Sequence, residues 1–302
     1  MVLEDVKKEF IYTLYTLGRT NGTVNNHKHT LRRFLESLAE QDITELEDVK
    51  PRHLKRLIRD WQVGGKQKNI SINGHLARLK VFFRYCIDEE YIDVTANPME
   101  RIKNLKEERT IIHTFTDEEV RLMIACCDGK SYTAVRDRLI LMILFDTGVR
   151  VSELTGILNE DVYETNIRIR GKGSRQRSVY ISPKVKRQMM KYERLRRERF
   201  KHRRQEPYYF LSQTAERIDR STINKILKNY AEEAKVRDEV RVSPHTCRHY
   251  YAQAHLRRGL DVYSVSRLLG HSDTDVTSQY LRGLKDEDIL IRSIATSPLM
   301  NM

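Results

Sequence analysis

The sequence predicts a mainly α protein with one small β-sheet, divided into a helical N-terminal part and a mixed α/β C-terminal part. Three observations carry this. Apolar residues recur at helical spacing through most of the 302 residues, one short stretch alternates instead, and a charged, proline-marked segment separates the two parts. Hydrophobic residues make up 39% and charged residues 32%, which suits a real core beneath a well-hydrated surface. The longest apolar run, Leu139 to Phe145, falls far short of the ~18–20 residues that span a membrane. Glu4, Asp5 and Glu9 exclude a signal peptide at the N-terminus. The four cysteines, Cys86, Cys126, Cys127 and Cys247, form no CxxC pair, and a reducing cytoplasm is the expected setting.

The elements follow in chain order. "VKKEFIYTLYTLG" reads as a first helix, and "TVNNHKHTLRRFLESLAE" sets Leu31, Phe34, Leu35 and Leu38 on one face of a second. "KPRHLKRLIRDW" offers Leu54, Leu57 and Ile58 for packing and leaves Arg52, Lys55, Arg56 and Arg59 to water. "SINGHLARLKVFFRYCIDE" is a fourth amphipathic helix. Residues 1–96 thus form a small helical domain whose basic faces suit phosphates. "NPMERIKNLKEER", interrupted by Pro98, reads as a linker over 97–112. A second domain then fills 113–302.

That domain opens on a capping box, Thr116 with Glu119, and a helix through Cys127. Another helix runs from about Ala134 to Asp146. In "TNIRIRGKGSRQRSVYI", Ile167 and Ile169 alternate with Arg168 and Arg170, then Val179 and Ile181 with Ser178 and Tyr180. This is strand, turn, strand, with Lys172 at the tip between Gly171 and Gly173. Residues 184–204 hold 11 basic and two acidic residues, one long helix facing either DNA or solvent. The chain is helical again from Arg220 and ends near "DEDILIRSIA".

Charge points to a polyanion. Lys and Arg number 55 against 42 Asp and Glu, and most of the excess lies beyond residue 110, where 35 basic residues face 25 acidic ones. Nucleic acid is the obvious partner, with a solubility surface as the bland alternative.

"SPHTCRHYYAQAH" tempts a metal reading, because His245 and His249 share a helix face at i,i+4. The zinc HExxH pattern fails, since position 246 is Thr and Cys247 points elsewhere. No metal or other cofactor is expected. Ser243 is a natural N-cap and Pro244 a natural first residue, so the helix starts just before His245. His245 and Arg248 are then a donor pair near a helix N-terminus, suited to a phosphate. In "DTGVRVSEL" an arginine follows a glycine where an apolar helix ends, and chain reversal there can set Arg150 beside Glu153. "LLGHSDTDVTSQY" adds His271 and, nine residues on, Tyr280.

With "TGVRVSEL", "GKGSRQR", "HTCRH" and "LLGHSDTDVTSQY" in this order, the chain resembles the tyrosine recombinases of the phage-integrase and Xer type. The resemblance spans about residues 1–290, more loosely in the N-terminal helices. It implies a core-binding domain followed by a catalytic domain, together forming a clamp around duplex DNA. It also implies that Arg150 and Arg248 are the two catalytic arginines, Lys172 the hairpin lysine, His245 the histidine of the HxxR motif, His271 the last basic residue, and Tyr280 the nucleophile. Glu153 and His249 are implied as supporting residues. Cys247 departs from the larger apolar residue frequent in the family, which should alter packing and not chemistry. Arg52, Lys55, Arg56, Arg59, Arg175 and Arg177 are the candidate DNA contacts.

The implied reaction is site-specific strand cleavage and rejoining through a 3′-phosphotyrosine, with strand exchange between paired sites and no ATP. The implied assembly is a tetramer, with the tail after Tyr280 docking on a neighbour or closing its own domain. An accessory DNA-binding protein is a further candidate partner. The chain lacks an obvious arm-binding domain, which favours the simpler recombinase type. Two rivals remain at this stage, a type IB-like topoisomerase and a DNA-binding protein without chemistry. Tyr250 and Tyr251 lie nearer the histidines than Tyr280 does, but inside their helix, and read as packing residues.

Overall fold

A computed structural model describes residues 1–63, 67–107, 113–171, 176–203 and 206–270. The chain divides into two compact units, Met1–Thr110 and Ile111–Met302.

The first unit packs four helices: α1 (Leu3–Thr16), α2 (Asn21–Ala39), α3 (Pro51–Val63) and α4 (Asn69–Asp88). Thr20 caps α2 by accepting from the Thr23 amide, and Pro51 opens α3 with the φ that a first turn requires. Phe10, Leu31, Phe34, Leu54, Leu76, Phe82 and Phe83 meet in one core. On α3, His53, Leu54, Leu57, Ile58 and Trp61 are buried, while Arg52, Lys55, Arg56 and Arg59 all lie on the exposed face. The segment expected as linker behaves differently in its first half. Met99 and Ile102 are buried in this core, and Asn73 of α4 holds the chain at Leu105 by accepting from its amide and donating to its carbonyl. Local composition showed the charge there but not the two apolar anchors.

The second unit begins with α5 (Asp117–Cys126), capped by the reciprocal Thr116–Glu119 bonds. α6 (Tyr132–Thr147) is apolar on nearly every side and runs through the core, packed against α8 (Pro183–Arg199) and α10 (Pro244–Arg257). It ends at Gly148, whose φ of +60° turns the chain into the short α7 (Val151–Leu154). β1 (Asn166–Arg170) and β2 (Gln176–Tyr180) pair antiparallel, with Ile167 opposite Val179. Ile167, Ile169 and Val179 face the core, as period-2 alternation requires. α8 stops at Arg199, short of the expected Arg204, where Phe200 turns into the core. α9 (Arg220–Glu233) and α11 (Val262–Leu269) complete the described elements, and α11 also ends on a left-handed glycine, Gly270. No described helix is long and apolar enough to cross a membrane.

Candidate active site

The site gathers where α6 and α11 end against α10. Gly148 is required there twice over. Its backbone is left-handed, and a Cβ would stand 2.6 Å from Cδ1 of Tyr251. Two residues later, Arg150 precedes the first turn of α7. Its amide donates to Glu153 Oε2 at 2.9 Å and its Nη1 to Glu153 Oε1 at 2.8 Å. The Arg150 side chain stays 44% exposed, while that of Glu153 is 5% exposed. Burial pushes the Glu153 carboxyl upward, but bonds from Arg177 and then Arg150 outweigh it and hold the group down at about 2.

α10 starts as its sequence dictates. Ser243 Oγ accepts from the Thr246 amide, Pro244 fills the first turn, and the Thr246 hydroxyl donates back to the Arg241 carbonyl. Arg248, 2% exposed, donates from Nη1 to the Gly148 carbonyl at 2.8 Å and from Nη2 to the Leu269 carbonyl at 2.7 Å. One guanidinium thereby ties the ends of two helices together. His245 presents its ring to solvent, edge-on to His249, with centroids 4.4 Å apart. Desolvation, then the charges of Arg248, Arg150 and Arg241, lower its pKa, so the ring is neutral near pH 7. His249 is buried and lowered to about 4 by burial, then by His245 and Arg248.

The structure therefore brings Arg150, Glu153, His245, Arg248 and His249 together. Lys172, Arg175, His271 and Tyr280 lie outside the described residues. Arg177 differs from its expectation as a DNA contact. Its guanidinium turns inward, with Nη1 and Nη2 on the two Glu153 oxygens at 3.0 and 2.9 Å and Nε on the Leu268 carbonyl at 3.2 Å. Charge and strand position could not reveal a partner 24 residues earlier in the chain. Tyr250 and Tyr251 are both buried in the helix, and Tyr250 donates to Asp117 Oδ1 at 2.8 Å. Cys247 is fully buried, and burial pushes its thiol well up. Among the described residues, no group of three His, Cys, Asp or Glu side chains could hold a metal ion.

Comparison with known proteins gives the family and the fold. The phage integrase family matches residues 113–287, and the family's N-terminal SAM-like domain matches residues 8–90. The tyrosine recombinase XerC of Thermodesulfovibrio yellowstonii is 30% identical over 260 residues, covering 83% of this chain and 85% of its own. Two solved structures share the fold. XerH site-specific recombinase bound to palindromic difH substrate superposes with a TM-score of 0.75 at 19% identity, covering 90% of this chain and 79% of that one. A lambda integrase tetramer bound to a Holliday junction gives 0.73 at 16%, covering 94% and 79%. With a family match over most of the chain and the arginine pair gathered at one corner, the protein belongs to the phage integrase family, as an Xer-type tyrosine recombinase that performs site-specific recombination.

Proposed function

We propose that Arg150, Lys172, His245, Arg248, His271 and Tyr280 form the catalytic set, supported by Glu153 and His249, and that the substrate is duplex DNA carrying paired recombination sites. The observation that carries this reading is the meeting of two arginines at one corner: Arg150 follows Gly148 by two residues and is held by Glu153, and Arg248 of α10 donates to the Gly148 carbonyl. A phosphodiester is already anionic, and attack adds negative charge to its equatorial oxygens. Arg150, 44% exposed, presents fork-like donors to those oxygens, and the buried Arg248 guanidinium, held by the Gly148 and Leu269 carbonyls, adds its positive charge beside them. His245 or His271 adds a third hydrogen bond.

The Tyr280 oxygen attacks phosphorus and its phenolic proton passes to water or a neighbouring base of the site. The bond from phosphorus to the 5′ oxygen breaks, and Lys172 protonates the departing oxygen. A 3′-phosphotyrosine and a free 5′-hydroxyl result. The ester keeps the bond energy, so rejoining needs no ATP, and a 5′-hydroxyl from a partner duplex completes an exchange. Residues 1–96, with the stretch through Leu105 that packs on them, serve as the core-binding domain, the rest of 97–112 as the link and 113–302 as the catalytic domain. Both domains hold the same duplex, with Arg52, Lys55, Arg56 and Arg59 of α3, and Arg175, on its phosphates. The lambda integrase neighbour is a tetramer on a Holliday junction, and four protomers with the tail after Tyr280 docked on a neighbour are the corresponding assembly here. The enzyme works in the cytoplasm on nucleoid DNA.

Covalent capture tests the reading. Labelled duplexes from the DNA flanking the gene carry a nick near each candidate site, so the short 5′ fragment escapes after attack. The expected product is a band that survives SDS, disappears with protease and is missing with Tyr280→Phe. A covalent band persisting in Tyr280→Phe would overturn the nucleophile.

A further inference from the structure

Arg177 sits on β2, five residues after Lys172, and was expected at the DNA surface. Each of its three guanidinium nitrogens instead donates inward. Two reach the Glu153 carboxylate and one reaches the Leu268 carbonyl, three residues before His271. Its side chain also fills the space beside Gly270, where a Cβ would lie 2.9 Å from Arg177 Cδ. The same carboxylate holds the Arg150 guanidinium and amide. Leu269, next to the Leu268 carbonyl that Arg177 holds, accepts from Arg248. One side chain thus reaches the strand leading from Lys172, the carboxylate that orients Arg150, and the helix end that leads to His271.

We propose that Arg177 is a positioning residue for the phosphate clamp, sharing Glu153 with Arg150 and anchoring the end of α11. The argument is one of charge and geometry. A carboxylate this buried needs compensation. With Arg150 as its sole partner, Glu153 would draw that guanidinium onto itself and neutralise the cation the phosphate requires. The pair of bonds from Arg177 reaches both carboxylate oxygens and shares them with Arg150. Arg150 is then oriented by one side-chain bond while remaining 44% exposed toward a substrate. The Glu153 carboxyl held near 2 agrees with a fully compensated anion. This inference rests on the assignment of Arg150 as a phosphate clamp.

The test uses the full chain on the nicked duplex, reading single-turnover covalent capture at saturating enzyme and duplex binding separately. Arg177→Ala is expected to slow capture about ten- to a hundredfold, with binding within about threefold, because a misplaced clamp acts on the transition state. Millimolar guanidinium ion should restore part of the rate, and Arg177→Lys should fall less than Ala. Should Arg177→Ala fail to fold, Arg177→Lys and Glu153→Gln carry the test, both expected to slow capture with binding retained. Capture at the wild-type rate in Arg177→Ala would sink the proposal. So would parallel loss of binding and capture with neither guanidinium rescue nor benefit from Lys. Arg150→Ala in the same assay separates the two ideas. Normal capture by that variant overturns the clamp itself, whereas loss there with none in Arg177 variants overturns this inference alone.

Discussion

Gly148→Ala probes the corner that holds both arginines. Two costs add. The left-handed backbone, φ +60°, costs a residue with a Cβ ~1–2 kcal/mol. The new methyl would lie 2.6 and 2.9 Å from the Tyr251 ring and 3.0 Å from Leu269 Cδ2, and overpacking of this kind costs ~1–3 kcal/mol. The sum is about 2–5 kcal/mol of unfolding free energy. Gly259→Ala is the matched control. Its φ is +98°, but nothing lies within 4 Å of its added Cβ, so only the backbone cost of ~1–2 kcal/mol applies. Relief of the Tyr251 contact must move the Gly148 carbonyl that holds Arg248, or the peptide leading to Arg150. Gly148→Ala should therefore lose covalent capture by ~10²-fold even at temperatures where it remains folded, since sub-ångström misplacement is costly in catalysis. Gly259→Ala should keep the wild-type rate. Urea unfolding and the capture assay on both variants decide it. Equal stability and equal rates in the two would refute the claim that close approach at Tyr251 builds the site.

Other expectations follow from the same geometry. Arg150→Ala should lose 10²–10³ in cleavage rate with little change in the urea midpoint, whereas Arg248→Ala should lose as much and also unfold earlier, because two buried carbonyls lose their donor at ~1–3 kcal/mol each; equal midpoints would contradict the buried anchoring. Glu153 has a folded pKa of about 2 against an ordinary 4.5, so its contribution of roughly 3 kcal/mol is present above pH 4.5 and lost as pH falls toward 2; Glu153→Gln should flatten that limb of an acid titration. Burial, then Arg78, Arg33 and His29 around His75 and His245 and Arg248 around His249, lowers both rings to about 4 from 6.5. Their stabilising effect is full above pH 6.5 and fades as pH falls toward 4, since the unfolded chain takes up protons first; unfolding midpoints unchanged between pH 7 and pH 4.5 would refute it. Lys55→Ala with Arg59→Ala on α3 should weaken duplex binding alike across sequences and reduce the salt slope by about one per residue, and an unchanged slope would remove α3 from the phosphate contacts.

How much of this was legible in the sequence depends on the range over which each signal acts. The start of α10 was written in Ser243-Pro244, and the start of α5 in Thr116 and Glu119, because caps are decided within four residues. The hairpin was written in the alternation of Ile167, Ile169 and Val179. The wet face of α3 followed from its spacing. What failed was set by distant partners. Met99 and Ile102 look like stray apolar residues in a charged segment until the four-helix core takes them up. Arg177 carries the same charge and spacing as a surface residue, and only the buried Glu153 turns it inward. For the site, glycine and carboxylate placed Arg150 beside Glu153. The proposed roles of Lys172, His271 and Tyr280 come from resemblance, since lone residues at long spacing carry no geometry of their own.

The proposed phosphate clamp poses a problem, because several guanidiniums must sit close together before any phosphate arrives. The fold answers it with helix ends. α6 and α11 both stop at left-handed glycines, Gly148 and Gly270, which leave their last carbonyls unpaired within the helix and carrying the negative end of the helix dipole. Those carbonyls are where the arginines bind: Gly148 and Leu269 accept from Arg248, and Leu268 accepts from Arg177. Glu153 supplies the one buried carboxylate between Arg150 and Arg177. Partial charges thus hold Arg248 without neutralising it, and a whole charge is spent only where two arginines share it. A carboxylate at each arginine would fix the same geometry more tightly but leave no net positive field for an anionic transition state. Under the proposed assignment, backbone dipoles orient the clamp and keep its charge, and the two glycines then matter to the chemistry as much as the side chains that flank them.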